Sequence, residues 1–172
     1  MRTTAGQEVT RLAHTPFCLV RVVWSRGRVA RVVLRAKPKS ARLDPKLGPR
    51  LLSVLRGEGT PRVLRMDASG LSTFARKVIG LCARIRPGRV MTYAELAKAA
   101  GRPNAARAVG QVMARNPFPL LVPCHRVVGV DGRLVGFGGG RLMKEALLSA
   151  EGWSFAGRGR NRRVVLKNSR VR

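Results

Sequence analysis

Apolar positions follow two rhythms along this chain. Residues 17–24 (FCLVRVVW) and 28–36 (RVARVVLRA) are short runs dense in β-branched side chains, separated by Ser25-Arg26-Gly27. That density and that turn predict two strands of an antiparallel hairpin. Lys37 to Pro49, with three prolines, reads as a basic loop, 50–56 (RLLSVLR) as a short helix, and Gly57–Pro61 as a break. A polar, turn-forming stretch at 67–72 then marks a domain boundary. From there the period lengthens. Phe74, Val78, Leu81 and Ile85 recur at helical spacing over 72–85, ahead of Pro87-Gly88. Thr92 stands three residues before Glu95, the capping-box spacing, so a short helix is predicted from Tyr93 to Gly101. Pro103 opens another, to about Arg115, and two short helices joined through Gly101-Arg102 read as a helix-turn-helix. Residues 126–135 (RVVGVDGRLV) read as a hairpin around Asp131-Gly132, and 141–150 (RLMKEALLSA) as a helix closed by Glu151-Gly152.

The expected class is α+β. A small N-terminal domain with antiparallel strands spans 1–69. A helical domain with a winged helix-turn-helix spans 70–156, and a partly ordered basic tail spans 157–172. No repeat interrupts this plan.

Charge changes the picture. Lysine and arginine total 35 against 8 acids, a net charge of +27, and 28 of the 35 are arginine. Such a field draws polyanions, and arginine also makes forked contacts to phosphate and stacks on bases. Nucleic acid is therefore the expected partner, the alternative being a merely solubilising charge. Cys18, Cys82 and Cys124 are an odd number without metal-type spacing, and His14 with Cys18 has only Cys82 as a further thiol. A closed zinc site is not expected. No apolar run reaches bilayer length and no leader is visible, so a cytoplasmic protein with reduced thiols and no membrane partner is expected.

On the helix from Pro103, Arg107 shares a face with Ala106, Gly110 and Ala114, while Ala105, Val109, Val112 and Asn116 project elsewhere. One face is thus nearly bare except for a single long cation. Small residues can serve tight helix packing. They can equally let a helix lie against a duplex, sequence-tolerant for want of side chains that read base edges.

The stretch PCH, residues 123–125, sets a cysteine beside one of two histidines. In an extended strand the two side chains point to opposite faces. They can cooperate only if the chain turns there, which Pro123 makes feasible. Otherwise Cys124 is a small buried hydrophobe and His125 a backbone-bonded imidazole. A catalytic base needs an orienting group, and the second half has four acids. Glu95 is committed to the capping box and Asp131 to the turn, while Glu145 sits mid-helix and is read as solvated. Glu151 lies at a helix C-terminus, where the dipole disfavours it. By elimination it is the candidate to orient His125, the alternative being a surface acid near the arginine-rich tail.

The run PCHRVV (123–128) resembles the active-site signature of the O6-alkylguanine-DNA alkyltransferases, also called methylated-DNA–protein-cysteine methyltransferases. The likeness runs from VMTYAELAKAAGRPNAARAVGQVMARNPFPLLVPCHRVVG to KEALLSAEG and covers roughly residues 72–153. It implies a DNA repair protein that transfers an alkyl group from guanine O6 irreversibly to its own cysteine. Each molecule would act once, as a monomer without metal or cofactor, on double-stranded DNA carrying O6-alkylguanine, with the lesion base flipped out. In that reading Cys124 accepts the alkyl group, His125 is its base through a water, and Glu151 holds the imidazole. Tyr93 contacts the flipped base, with Thr92, Ala106 and Gly110 on the same DNA-facing surface, and Arg107 fills the vacated stack. Asn116 joins the recognition helix to the cysteine turn. Met113 and Pro119 line the base pocket, with Val127 and Val128 on the next strand. Many relatives have a tyrosine and then a serine or larger residue where this chain has Phe137 and Gly138, which leaves the ring without its hydroxyl and a backbone N–H to reach the guanine oxygen. Two other readings compete: a DNA-binding module whose PCH is structural, and a Cys-His hydrolase that turns over.

Overall fold

The computed structural model describes residues 9–14, 18–35, 49 and 65–165, which fall into two units. The first holds the chain up to Leu71 together with Pro117–Leu121, and the second the remainder.

In the first unit β1 (Val9–His14), β2 (Leu19–Ser25) and β3 (Arg28–Arg35) form one antiparallel sheet in sequential order. The β2–β3 hairpin is the predicted one. Arg26 and Gly27 both take positive φ, 50° and 72°, the backbone that a tight two-residue turn demands. Alternation along β2 buries Val20 and Val22, and Val29 and Val32 are buried on β3. The strand β1 was not expected, because VTRLAH carries few β-branched or aromatic side chains; it forms by pairing along all of its length with β2. The other side of β3 is also paired. Val29 donates to Arg65 O (2.6 Å) and accepts from Asp67 N–H (2.8 Å), and Val32 N–H donates to Pro117 O (2.7 Å). Buried Phe118, Leu120 and Leu121 thereby belong to this unit despite their place in the sequence. The predicted basic loop, apart from Pro49, and the predicted helix at 50–56 lie outside the described residues.

The second unit contains α1 (Thr73–Cys82), α2 (Tyr93–Ala99), α3 (Ala106–Ala114) and α4 (Arg141–Ala150). Ser72 caps α1 by accepting Ala75 N–H at 3.2 Å. Both halves of the Thr92 capping box are made: Glu95 N–H donates to Thr92 Oγ1 (3.1 Å) and Thr92 N–H to Glu95 Oε2 (2.7 Å). Helix α3 starts later than expected. Residues 102–105 form a turn closed by Ala105 N–H to Arg102 O (2.9 Å), in keeping with the turn preference of Pro103-Asn104, and Ala105 offers no capping side chain.

The hairpin expected over 126–135 does not form. Asp131 and Gly132 do take positive φ, 60° and 76°, and Gly129 N–H reaches Arg133 O at 2.8 Å. Beyond that turn the flanks part. The strand β5 (Val127–Val128) pairs in parallel with β4 (Met91–Thr92), and the returning Leu134 N–H donates to Arg162 O at 3.0 Å. Val127 and Val128 are both fully buried, so this strand sits in the interior with apolar cover on both faces, and long-range pairing wins over the local ladder. The segment expected as the start of a basic tail contributes β7 (Arg163–Val164), which pairs with β6 (Phe155–Ala156); residues 166–172 lie outside the described residues. Val164 joins Val90, Val128, Leu134, Leu148 and Trp153 in the core beneath α4. No helix among the described residues is long and apolar enough to cross a membrane.

Candidate functional site

Leu120 and Leu121 lie in a turn, with Leu120 at φ 74°, and after Pro123 Cys124–Arg126 make a single 3-10 turn in which Arg126 N–H bonds Pro123 O at 2.8 Å. The turn breaks the two-residue alternation that would send Cys124 and His125 to opposite faces. Both are buried, at 5% and 0% exposure.

Asn116, just beyond the end of α3, donates from Nδ2 to Cys124 Sγ (3.2 Å) and Val122 O (3.4 Å). The thiol is therefore tied to α3. His125 Nε2 lies 2.8 Å from Glu151 Oε1, while its Nδ1 is buried with no hydrogen-bonding partner among the described residues. An ionised carboxylate only accepts, so Nε2 carries the proton and the lone pair sits on Nδ1. The pairing proposed by elimination is thus present as geometry.

What the sequence did not disclose is Arg126. Its Nε and Nη2 bond Glu151 at 3.0 and 2.8 Å, and its Nη1 holds Ile85 O at 2.6 Å. Glu151 caps the C-terminus of α4 against the dipole, and the guanidinium offsets that cost. An arginine at 4% exposure is rare unless paired, and nothing in PCHRVV except its place beside His125 signalled it.

Lys144 was missed too. It is fully buried, and Nζ donates to Val127 O (2.6 Å) and Val135 O (2.8 Å), joining β5 to the loop that follows it. The available signal was its spacing, because Lys144 falls three and four residues before Leu147 and Leu148 on the buried stripe of α4. Glu145, read as solvated, instead pairs with Arg162, delivered by the strand pairing of β7.

Burial pushes the Cys124 thiol up from its ordinary value, and the Asn116 hydrogen bond and Lys144 charge offset part of that. Burial lowers His125, more than its bond to Glu151 raises it. Burial alone would raise Glu151, but the His125 hydrogen bond and the Arg126 charge outweigh it and hold the carboxyl below its usual range. The resting site is a neutral thiol, a neutral imidazole and a carboxylate. Burial brings Lys144 down to about 8 and pushes Tyr93 up to about 12, so the phenol stays a donor across the physiological range.

Lys144→Met separates the lysine from the thiols. Between pH 8 and 10.5 the unfolded chain binds more protons at this lysine than the folded one, so the lysine makes stability rise with pH there. The raised thiols act in the opposite sense. Subtracting the variant's stability–pH curve from the wild type's should therefore leave a component that climbs across that window. A flat difference would mean that the ammonium is not desolvated.

A cavity of 530 Å³ gathers Tyr93, Ala106, Arg107, Gly110, Phe137 and Gly138. The Phe137 ring meets His125 edge-on, with centroids 6.2 Å apart and planes at 80°. Gly139 makes this possible, since a Cβ there would stand 2.3 Å from Met143 Sδ and 2.9 Å from Phe137. Thr92 serves the α2 cap, Met113 is buried on α3, Val127 is buried on β5, and Val128 lies in the core cluster. Pro119 falls in the other unit. No group of three metal-ligating side chains occurs among the described residues.

Known proteins are similar to this chain in sequence and in fold. A family profile described as the DNA-binding domain of 6-O-methylguanine DNA methyltransferase matches residues 73–153. The methylated-DNA–protein-cysteine methyltransferase of Mycobacterium leprae is 42% identical over 95 residues, which span 55% of this chain and 57% of that protein. The crystal structure of Mycobacterium tuberculosis O6-methylguanine methyltransferase aligns with a TM-score of 0.69 at 30% identity, over 84% of this chain and 93% of that one. Mycobacterium tuberculosis OGT in complex with DNA aligns at 0.68 and 31% identity, over 83% and 91%. The chain spans little more than half the length of the curated relative, yet the structural likeness covers both units. With the cysteine turn, its carboxylate and the α2–α3 pair all inside the matched segment, the chain belongs to the O6-methylguanine-DNA methyltransferase family.

Proposed function

We propose that this protein repairs DNA by moving an alkyl group from guanine O6 to Cys124, once per molecule. The observation that carries the reading is the bonded series Asn116–Cys124 and His125–Glu151–Arg126 beside the cavity of α2 and α3. The α2–α3 pair acts as a helix-turn-helix, with the loop after β5 as its wing. Helix α3 lies in the minor groove, Arg107 fills the stack, and the lesion base turns into the cavity.

His125 Nδ1 takes the thiol proton, through a water where needed, and Glu151 stabilises the imidazolium. The thiolate attacks the alkyl carbon in line. A carbon–sulfur bond forms as the carbon–oxygen bond breaks, and its electron pair leaves with guanine. Tyr93 Oη–H and Gly138 N–H donate to the departing base. The thioether resists water, so the protein is spent. It works as a monomer in the cytoplasm.

The test is duplex DNA with a labelled methyl on guanine O6. Label should reach the protein one for one, and Cys124→Ala should bind DNA yet take none. Label released into solution at many turnovers would favour a hydrolase, and no transfer a binding module.

A further inference from the structure

A second cavity adjoins the one against α3. Val135 and Gly136 line both, and across that loop Arg141 and Arg160 wall a space of 560 Å³. Arg160 comes from the hairpin of β6 and β7, which follows the family-matched segment ending at residue 153. This hairpin is firmly mounted. Val164 is in the core, Leu134 N–H bonds Arg162 O at 3.0 Å, Arg162 pairs with Glu145, and Arg141 Nη1 donates to Gly159 O. Its tip, 158–163 (RGRNRR), holds four arginines and no acid, and Arg158, Arg160 and Arg163 are exposed.

We propose that the β6–β7 hairpin and this cavity bind a backbone phosphodiester of the same duplex whose lesion base occupies the α3 cavity, with Arg160 and Arg141 as the paired cations. The inference rests on the DNA reading of the α3 cavity given above. A net charge of +27 attracts DNA everywhere; what singles out this place is anchorage and adjacency. The two guanidinium groups share a cavity one loop away from the base site, so a strand whose base enters one cavity carries its phosphates past the other. Side chains on a fixed hairpin lose less freedom on contact than those of a loose tail. The contact adds affinity without reading sequence.

Binding to an undamaged duplex is measured between about 50 and 200 mM salt, where each phosphate contact contributes about −0.9 to the slope of log K against log salt. Arg160→Ala should reduce the slope by about 0.9 and Arg141→Ala/Arg160→Ala by up to twice that, while Arg160→Lys keeps it. Arg84→Ala removes the same charge from a residue that lines neither cavity, and should leave the slope unchanged. An unchanged slope in Arg160→Ala, or an equal fall in Arg84→Ala, overturns the proposal. Alkyl transfer from the free base O6-benzylguanine, which has no phosphate, should proceed equally in wild type and Arg160→Ala. If wild type transfers nothing from this base or from O6-methylguanine in duplex DNA, the repair reading fails, and the slopes still decide whether the hairpin holds phosphate.

Discussion

Transfer from O6-methylguanine in duplex DNA should slow by about 10²- to 10⁴-fold in His125→Leu, the usual contribution of a positioned base. Leucine fills much of the ring's volume, and Glu151 keeps its bonds to Arg126, so the loss belongs to proton transfer and not to unfolding. The pH profile distinguishes the two. In the variant only the thiol's own ionised fraction reacts, so its rate should climb about tenfold per pH unit towards that raised pKa. In the wild type the base is competent wherever His125 is neutral. Because burial lowers its pKa, competence should persist below pH 6.5. A variant with the wild type's profile would remove His125 from the mechanism.

Arg126→Met should cost about 3–5 kcal/mol at neutral pH, as breaking a buried pair does, read as a lower denaturant midpoint with an unchanged slope. The Glu151 side chain is 7% exposed and would keep only the imidazole. The sign follows from its lowered pKa: the carboxylate's contribution is present above its unfolded value near 4.5 and lost as pH falls through the folded one. The gap between wild type and variant should therefore close in acid. Adding Glu151→Leu should recover much of the stability without recovering transfer, since an apolar pair of similar volume often replaces a buried ion pair at no cost. Recovery of both would show that the pair serves folding alone.

Local chemistry was legible wherever the partner lay within a few residues. The Thr92–Glu95 box, the Ser25–Gly27 turn and the Asp131-Gly132 backbone are of this kind. Glu151 was found because it broke a rule, standing at the negative end of a helix. Other features depended on partners far along the chain. The pairing of β5 with β4, the docking of 117–121 on β3 and the capture of Glu145 by Arg162 are decided by tertiary packing that no window of residues contains. Arg126 and Lys144 were hidden by a sound prior, that cations face water. In a chain with 35 of them, these two buried ones among the described residues were indistinguishable by composition.

A buried sulfur that keeps its proton at rest is a poor target for peroxides and for the small electrophiles of the cell. Reactivity is withheld until an imidazole and an incoming base act together. On the proposed reading a protein that acts once must outlast the wait between lesions, and a thiol kept protonated by burial suits that wait.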